Sequence, residues 1–69
     1  MSTVRKVVRD LEVGDSWMDS DYTAFVLLTK PVLDPESPQG RWVFDVRNLD
    51  TERVEHHQSQ PHFTIDVDQ

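Results

Sequence analysis

The chain has 69 residues and no cysteine, so it can form at most one small domain over residues 1–69, without disulfides or thiolate metal sites. Its formal net charge is −6, from 13 acidic and 7 basic residues. That charge disfavours nucleic-acid binding, which depends on neutralising phosphates with Lys and Arg. No apolar run approaches the roughly 20 residues of a membrane span, and the first residues lack the apolar region of a signal peptide, so we expect a cytoplasmic protein.

The first predicted element is a strand at residues 3–9, which carries three valines. A helix over residues 3–12 is the alternative, because several apolar residues there are also spaced by three or four. Residues 10–15 are predicted to form a turn around a glycine, which permits backbone conformations that other residues rarely adopt. Leu11 and Val13 lie two positions apart, and we expect both to point inward.

The next segment is predicted to contain two loops around one strand. Residues 16–21 are polar except for Trp17 and a methionine, and are predicted as a loop. The strand at residues 22–30 has a continuous apolar stretch at 24–28, which favours coverage of both faces. Residues 31–40 contain three prolines and a glycine, and are predicted as a flexible loop of about ten residues because proline cannot continue a strand ladder.

Three further strands are predicted at residues 41–48, 52–58 and 62–67. Two of them have apolar residues at every second position. These are Trp42, Phe44 and Val46 in one strand and Phe63, Ile65 and Val67 in the last. Side chains alternate across a strand, so both sets are expected to face one core. In the strand between them Val54 and His56 share a face, and we expect His56 to be half-buried there.

The expected fold is all-β, either a small five-stranded SH3-like barrel or a strongly bent antiparallel sheet. Five strands with a long first loop, a tight third turn and a short break at 59–61 resemble the SH3-like small barrel, and Leu-Glu-Val-Gly-Asp at 11–15 resembles the turn that opens many such barrels. The aromatic motif and paired tryptophans of peptide-binding SH3 domains are missing, so proline-rich ligands are not implied. The chain is also similar in style to small acidic accessory and virion proteins of bacteriophages.

The histidines invite a metal interpretation, but their spacing is unfavourable. His56 and His57 are adjacent in a predicted strand and therefore point to opposite faces, and His62 lies beyond a proline. The acidic residues between positions 15 and 21 lack the glycine and the later glutamate of a calcium-binding EF-hand loop. We therefore expect no metal site.

Motifs for catalysis are also missing from the sequence. It contains no nucleophile elbow, no phosphate-binding glycine loop and no zincin motif. A domain this small is also expected to lack a pocket of about 300 Å³ or more. The sequence thus predicts a protein that is not an enzyme and has no cofactor and no small-molecule substrate.

The most plausible function is protein interaction or assembly, through a protein partner or by self-association. Aromatic residues and methionine are enriched at protein interfaces. The candidate contact residues come from the acidic loop and the proline-rich loop, and are Trp17, Met18, Asp19, Asp21, Tyr22, Asp34 and Glu36. The alternative is that Trp17 or Met18 fills one end of the barrel while the carboxylates only maintain solubility. If the protein is phage-encoded, it is expected in the host cytoplasm or the virion.

Two other functions stay open. The first is an acidic inhibitor or decoy that occupies a nucleic-acid-binding site on a host protein, which requires carboxylates gathered on one face and binding that weakens steeply with salt. The second is a weak nucleic-acid-binding barrel. It would use either the basic residues of the first strand (Arg5, Lys6 and Arg9) or those of the later hairpin (Arg41, Arg47 and Arg53), although no stacking aromatic residue can be placed beside them with the sequence alone.

Overall fold

A computed structural model describes residues 2–68 and shows an all-β protein, in which a curled antiparallel sheet forms a half-barrel. The strands are β1 (Thr3–Val7), β2 (Ser16–Met18), β3 (Ala24–Leu27), β4 (Val32–Leu33), β5 (Trp42–Asn48), β6 (Val54–Ser59) and β7 (Thr64–Asp68). A 3₁₀ turn, Val8–Asp10, follows β1. The predicted all-β class is confirmed, and the helical alternative for residues 3–12 is wrong. Within residues 2–68, no helix has the length and apolar character needed to cross a membrane.

The strands lie in the order β1-β7-β2-β3-β5-β4, and β6 pairs with β5. The longest strand, β5, has β3 and β4 along one edge and β6 along the other. The first and last strands, β1 and β7, pair antiparallel, and within residues 2–68 a single pair between Trp17 in β2 and Val67 in β7 joins them to the rest of the sheet. In the described part of the chain, β1, β4 and β6 each pair with one neighbour and are the outer strands of the half-barrel.

The turn after β1 differs from the prediction in one side chain. Leu11 is fully buried as expected, but Val13 is 64% exposed. The Asp15 N–H donates to the carbonyl of Glu12 at 3.0 Å, which closes a tight turn, and Gly14 within it adopts a φ of +95°. Alternation of faces holds only for extended chain, so this turn rotates Val13 into solvent.

Two short strands replace predicted loop. Ser16–Met18 forms β2 and pairs with β3. The extended conformation places Trp17 opposite Phe25, where its ring is buried in the core. Val32–Leu33 pairs with β5, and the Asp34 N–H donates to the carbonyl of Arg41 at 2.9 Å. The segment predicted as a loop at 31–40 is thus one arm and the tip of a hairpin.

The faces of β6 are opposite to the prediction. Val54 is 60% exposed and His56 is exposed, whereas Glu55 and His57 are partly buried on the concave side. The register between β5 and β6 causes this, because it places His57 directly opposite the buried Phe44. The expected break at 59–61 is a turn at 60–63, closed by the Phe63 N–H on the carbonyl of Gln60 at 3.2 Å.

The core is small. Its buried hydrophobic residues are Val8, Leu11, Trp17, Phe25, Leu27, Phe44, Val46 and Val67. Trp42 and Ile65 pack against this cluster and are partly buried. Large hydrophobic residues left exposed are Val4, Val13, Met18, Tyr22, Val32, Leu33, Leu49, Val54 and Phe63. A domain this short cannot cover all its apolar surface, so much of it stays available for contacts.

Candidate interaction groove

The concave side of the half-barrel contains an open groove with a volume of about 670 Å³. Its floor is formed by Trp17, Phe25 and Phe44, and Met18 and Phe63 lie at its rim. The expectation that this domain lacks room for a pocket of about 300 Å³ is wrong. That expectation assumed a closed barrel filled by its own side chains, whereas a half-barrel leaves its concave face partly uncovered.

The floor is a packed aromatic cluster. The ring centroids of Trp17 and Phe25 lie 6.2 Å apart, and those of Trp17 and Phe44 lie 6.5 Å apart at an interplanar angle of 71°. Aromatic pairs prefer such tilted or edge-to-face arrangements, and each is worth about 0.5–1.5 kcal/mol beyond the area it buries. The floor is therefore a rigid apolar surface.

His57 forms one wall of the groove and contacts two of the floor rings. Its ring centroid lies 5.3 Å from that of Phe25 and 5.9 Å from that of Phe44. The Nε2 atom lies 3.0 Å from Oε1 of Glu55. A carboxylate can only accept, so Nε2 carries the proton in this pair. The interaction fixes which edge of the imidazole faces the carboxylate and which face meets the aromatic floor.

Glu55 connects this wall to the turn between β5 and β6. The Asn48 Nδ2 atom donates to Oε2 of Glu55 at 2.9 Å, and the Asn48 Oδ1 atom accepts from the Asp50 N–H at 2.9 Å. Hydrogen bonds from His57 and then from Asn48 stabilise the ionised carboxylate and lower the pKa of Glu55. Asn48 is buried and both polar atoms of its side chain are hydrogen-bonded, so the turn, the strand and the groove wall form one connected network.

The groove rim carries charges of both signs, with carboxylates in excess. Asp19 and Asp66 lie on it together with Arg41. Asp66 pairs with Arg5 at 3.1 Å, but both side chains are exposed, so the pair contributes little. With a net charge of −6 for the whole chain, the groove favours a partner that brings positive charge.

The candidate residues from the acidic loop fall into two groups. Trp17, Met18 and Asp19 line the groove, but Trp17 is only 6% exposed and belongs to the core. Asp21 and Tyr22 are exposed outside it. The Asp19 Oδ1 atom accepts from the Asp21 N–H at 2.9 Å, which shapes the loop locally. These residues are close together in the sequence, but the fold places Asp21 and Tyr22 outside the groove that the others line.

The candidates from the proline-rich segment do not line the groove. Asp34 and Glu36 lie at the hairpin between β4 and β5, where the Asp34 Oδ1 atom accepts from the Glu36 N–H at 3.0 Å. This is the local turn that aspartate commonly forms with the backbone two residues on. Asp34 therefore has a structural role in the hairpin.

Several groove residues were not recognised as site residues in the sequence. Phe25 and Phe44 have a strand pattern that indicates core, with no signal that one side of that core is open. His57 was expected on the face opposite to the one it occupies, and Phe63, which was expected in the core, lies exposed at the rim. Only the register between β5 and β6 and the turn before β7 reveal their positions, and neither has a local sequence signal.

The histidines do not converge on one point. On the convex face the His56 Nδ1 atom lies 2.7 Å from Oδ1 of Asp45, while His57 faces the groove. Among residues 2–68, no group of three or more His, Cys, Asp or Glu side chains is arranged to hold a metal ion.

Comparison with protein-family models, curated proteins and solved structures gives no match to this chain.

Proposed function

We propose that the protein is a non-enzymatic interaction or assembly module that binds a protein partner in its concave groove. The observation that carries this proposal is the open groove, which has buried aromatic rings as its floor and two exposed apolar residues at its rim. Met18 is 56% exposed and Phe63 is 57% exposed, and both lie at the rim. A concave apolar surface with a few polar groups around it is the usual form of a binding site, and large aromatic residues dominate binding energies at interfaces.

The partner's chemistry follows from the rim. An apolar side chain of the partner would enter the groove between Met18 and Phe63, and basic residues beside it would approach Asp19 and Asp66. Complementary charge speeds association and selects among partners more than it adds affinity. The proposed occupant is thus a protein surface that presents an apolar residue flanked by Lys or Arg.

The arrangement of carboxylates does not favour the alternative of phosphate mimicry. Asp15 pairs with Lys6 at 3.1 Å, Asp45 contacts His56, and Asp19 accepts hydrogen bonds from its own loop. These groups are engaged within the chain. An SH3-like relationship stays a prediction from the sequence, although the half-barrel is compatible with a small β-barrel fold. A bacteriophage origin also stays a prediction from the sequence.

Site-specific photocrosslinking tests the proposed groove. A photoreactive phenylalanine analogue would replace Phe63 at the rim in one variant and Leu49, an exposed residue of the turn between β5 and β6, in a matched control. After irradiation in an extract of the source cells, we expect a discrete protein adduct from position 63 and a much weaker one from position 49. The adduct should still form when the irradiation is carried out at high salt, because the complex depends mainly on apolar contacts, which salt does not screen. Equal labelling from both positions would refute the groove as the contact surface.

A further inference from the structure

The outer edge of β6 has free backbone hydrogen-bonding groups. The Asn48 N–H donates to the carbonyl of Arg53 at 2.8 Å, which fixes which residue pairs of the β5–β6 ladder are bonded. Bonded and non-bonded pairs alternate in antiparallel strands, so the N–H and C=O groups of Val54, His56 and Gln58 point away from β5. Within residues 2–68, β6 pairs only with β5, so these groups face solvent.

This edge has few of the features that protect other strand edges. The strand is six residues long and contains neither proline nor lysine. Its one carboxylate, Glu55, points to the concave side and is held by Asn48 and His57. Natural proteins usually protect an open edge with lysine, proline, a bulge or a covering segment, because a regular edge can pair with another strand. The other two outer strands do have such features: β4 has only two residues and Pro31 directly before it, and β1 carries Lys6.

We propose that two copies of the chain form a symmetric dimer in which β6 pairs antiparallel with β6 of the second copy, centred on His56. In this register His56 lies opposite the partner's His56, and Val54 lies opposite the partner's Gln58. Every outward-facing backbone group of the strand is then bonded. If the two-fold axis lay at either end of the strand, the two strands would overlap only partly, and about half of these backbone groups would stay unpaired.

Charge selects a second copy as the occupant of this edge. The register places Glu55 opposite the partner's His57 in both halves of the dimer, and a polar or hydrogen-bonded pair across strands is favourable. Arg53 and Glu55 also cancel locally, so the net charge of −6 is not concentrated where the copies meet. A chain this short, with so many exposed hydrophobic residues, gains stability from association. The inference does not depend on any occupant of the groove.

Sedimentation over a range of protein concentrations tests the dimer. We expect a species with twice the 8.1 kDa mass of one chain, and its loss in a His56→Pro variant. Proline removes an N–H that faces solvent, so the β5–β6 ladder stays intact, but a second strand can no longer pair there. A His56→Thr control should remain dimeric. If His56→Pro fails to melt cooperatively, Gln58→Lys serves instead, because lysine on the edge opposes pairing. A wild-type protein that is monomeric at all concentrations, or a folded edge variant that remains dimeric, overturns the proposal.

A single introduced cysteine tests the register, since the chain has none of its own. In His56→Cys the two Cα atoms would be about 5.5 Å apart across the axis, within the range of a disulfide, so mild oxidation should give a covalent dimer. A Leu49→Cys control should not crosslink. A dimer that crosslinks through Leu49→Cys or Met18→Cys, and not through His56→Cys, overturns the β6 arrangement. The groove proposal is judged separately, by the adduct from position 63.

Discussion

Replacement of Trp17 by alanine should destabilise the protein more than any other single aromatic truncation. Trp17 is buried, contacts both Phe25 and Phe44, and forms the one pair that joins β2 to β7 within the described residues 2–68. Large-to-small replacement of a buried Trp costs about 3–5 kcal/mol. At about 0.05–0.15 kcal/mol per residue, a chain of this length has a total stability of roughly 3–10 kcal/mol. Trp17→Ala should therefore lose a large part of this stability, and near the lower end of the range it would be unfolded at 25 °C.

The matched comparison is Trp42→Ala, since Trp42 is only partly buried and packs at the edge of the core. Urea unfolding followed by far-UV circular dichroism would give the free energy of unfolding of each variant. Trp42→Ala should lose about half as much stability as Trp17→Ala, because less of its ring leaves water on folding. A Trp17→Phe variant, which keeps an aromatic ring in place, keeps the experiment measurable if Trp17→Ala does not fold. Equal losses at the two tryptophans, or a larger loss at Trp42, would show that the closure between β2 and β7 does not depend on Trp17.

Three further predictions concern the polar network, acid stability and one turn. Asn48→Ala should lower the free energy of unfolding by about 1–3 kcal/mol in a urea titration, because it removes the hydrogen bonds that the buried amide makes to Glu55, Asp50 and Thr51; a neutral result would show that water replaces the amide. Two carboxylates should make the protein acid-labile. Burial raises the pKa of Asp15, but the Glu12 N–H and Lys6 outweigh this and leave its pKa below the ordinary 3.8, and hydrogen bonds from His57 and Asn48 hold the pKa of Glu55 below 4.5. Because folding lowers both pKa values, the ionised carboxylates stabilise the folded state fully at a pH above their ordinary pKa values. This stabilisation is lost as the pH falls through the pKa values of the folded state. The melting temperature should therefore drop between pH 5 and pH 3, and less so in Glu55→Gln; an unchanged pH profile in that variant would exclude a contribution from Glu55. Finally, Gly14→Ala should destabilise the protein by about 1–2 kcal/mol in thermal melts, because Gly14 has a φ of +95°, which residues with a Cβ rarely adopt. An added Cβ would meet no atom within 4 Å, so this cost would come from the backbone conformation and not from a clash. A wild-type melting temperature would mean that the turn relaxes without strain.

Local patterns predicted the long strands well. In β5 the alternation of Trp42, Phe44 and Val46 placed all three on the concave side, where Phe44 and Val46 are buried. The alternation has a direct physical cause, since successive side chains of a strand point to opposite faces. The same pattern failed at Phe63, because the strand begins one residue later and Phe63 still belongs to the preceding turn.

The short strands and the faces of β6 could not be predicted in this way. Only three residues form β2 and only two form β4, so neither shows a period. In β6 the one strongly apolar residue, Val54, suggested the wrong face. The register with β5 is set by the turn between them, in which the Glu52 N–H donates to the carbonyl of Asn48 at 2.7 Å and Glu52 itself has a φ of 62°. A shift of one residue in register reverses every side chain of a strand.

The amino-acid order by itself determined that this protein is built from β-strands, since the period of its apolar residues is a local property. Only the tertiary structure decided that the sheet stops at a half-barrel, leaving a groove on its concave side and β6 at an open edge. Closure depends on contacts such as the pair between Trp17 and Val67, which are 50 positions apart in the chain. Such long-range pairs depend on how the whole sheet twists and curls, and no local pattern records that curvature.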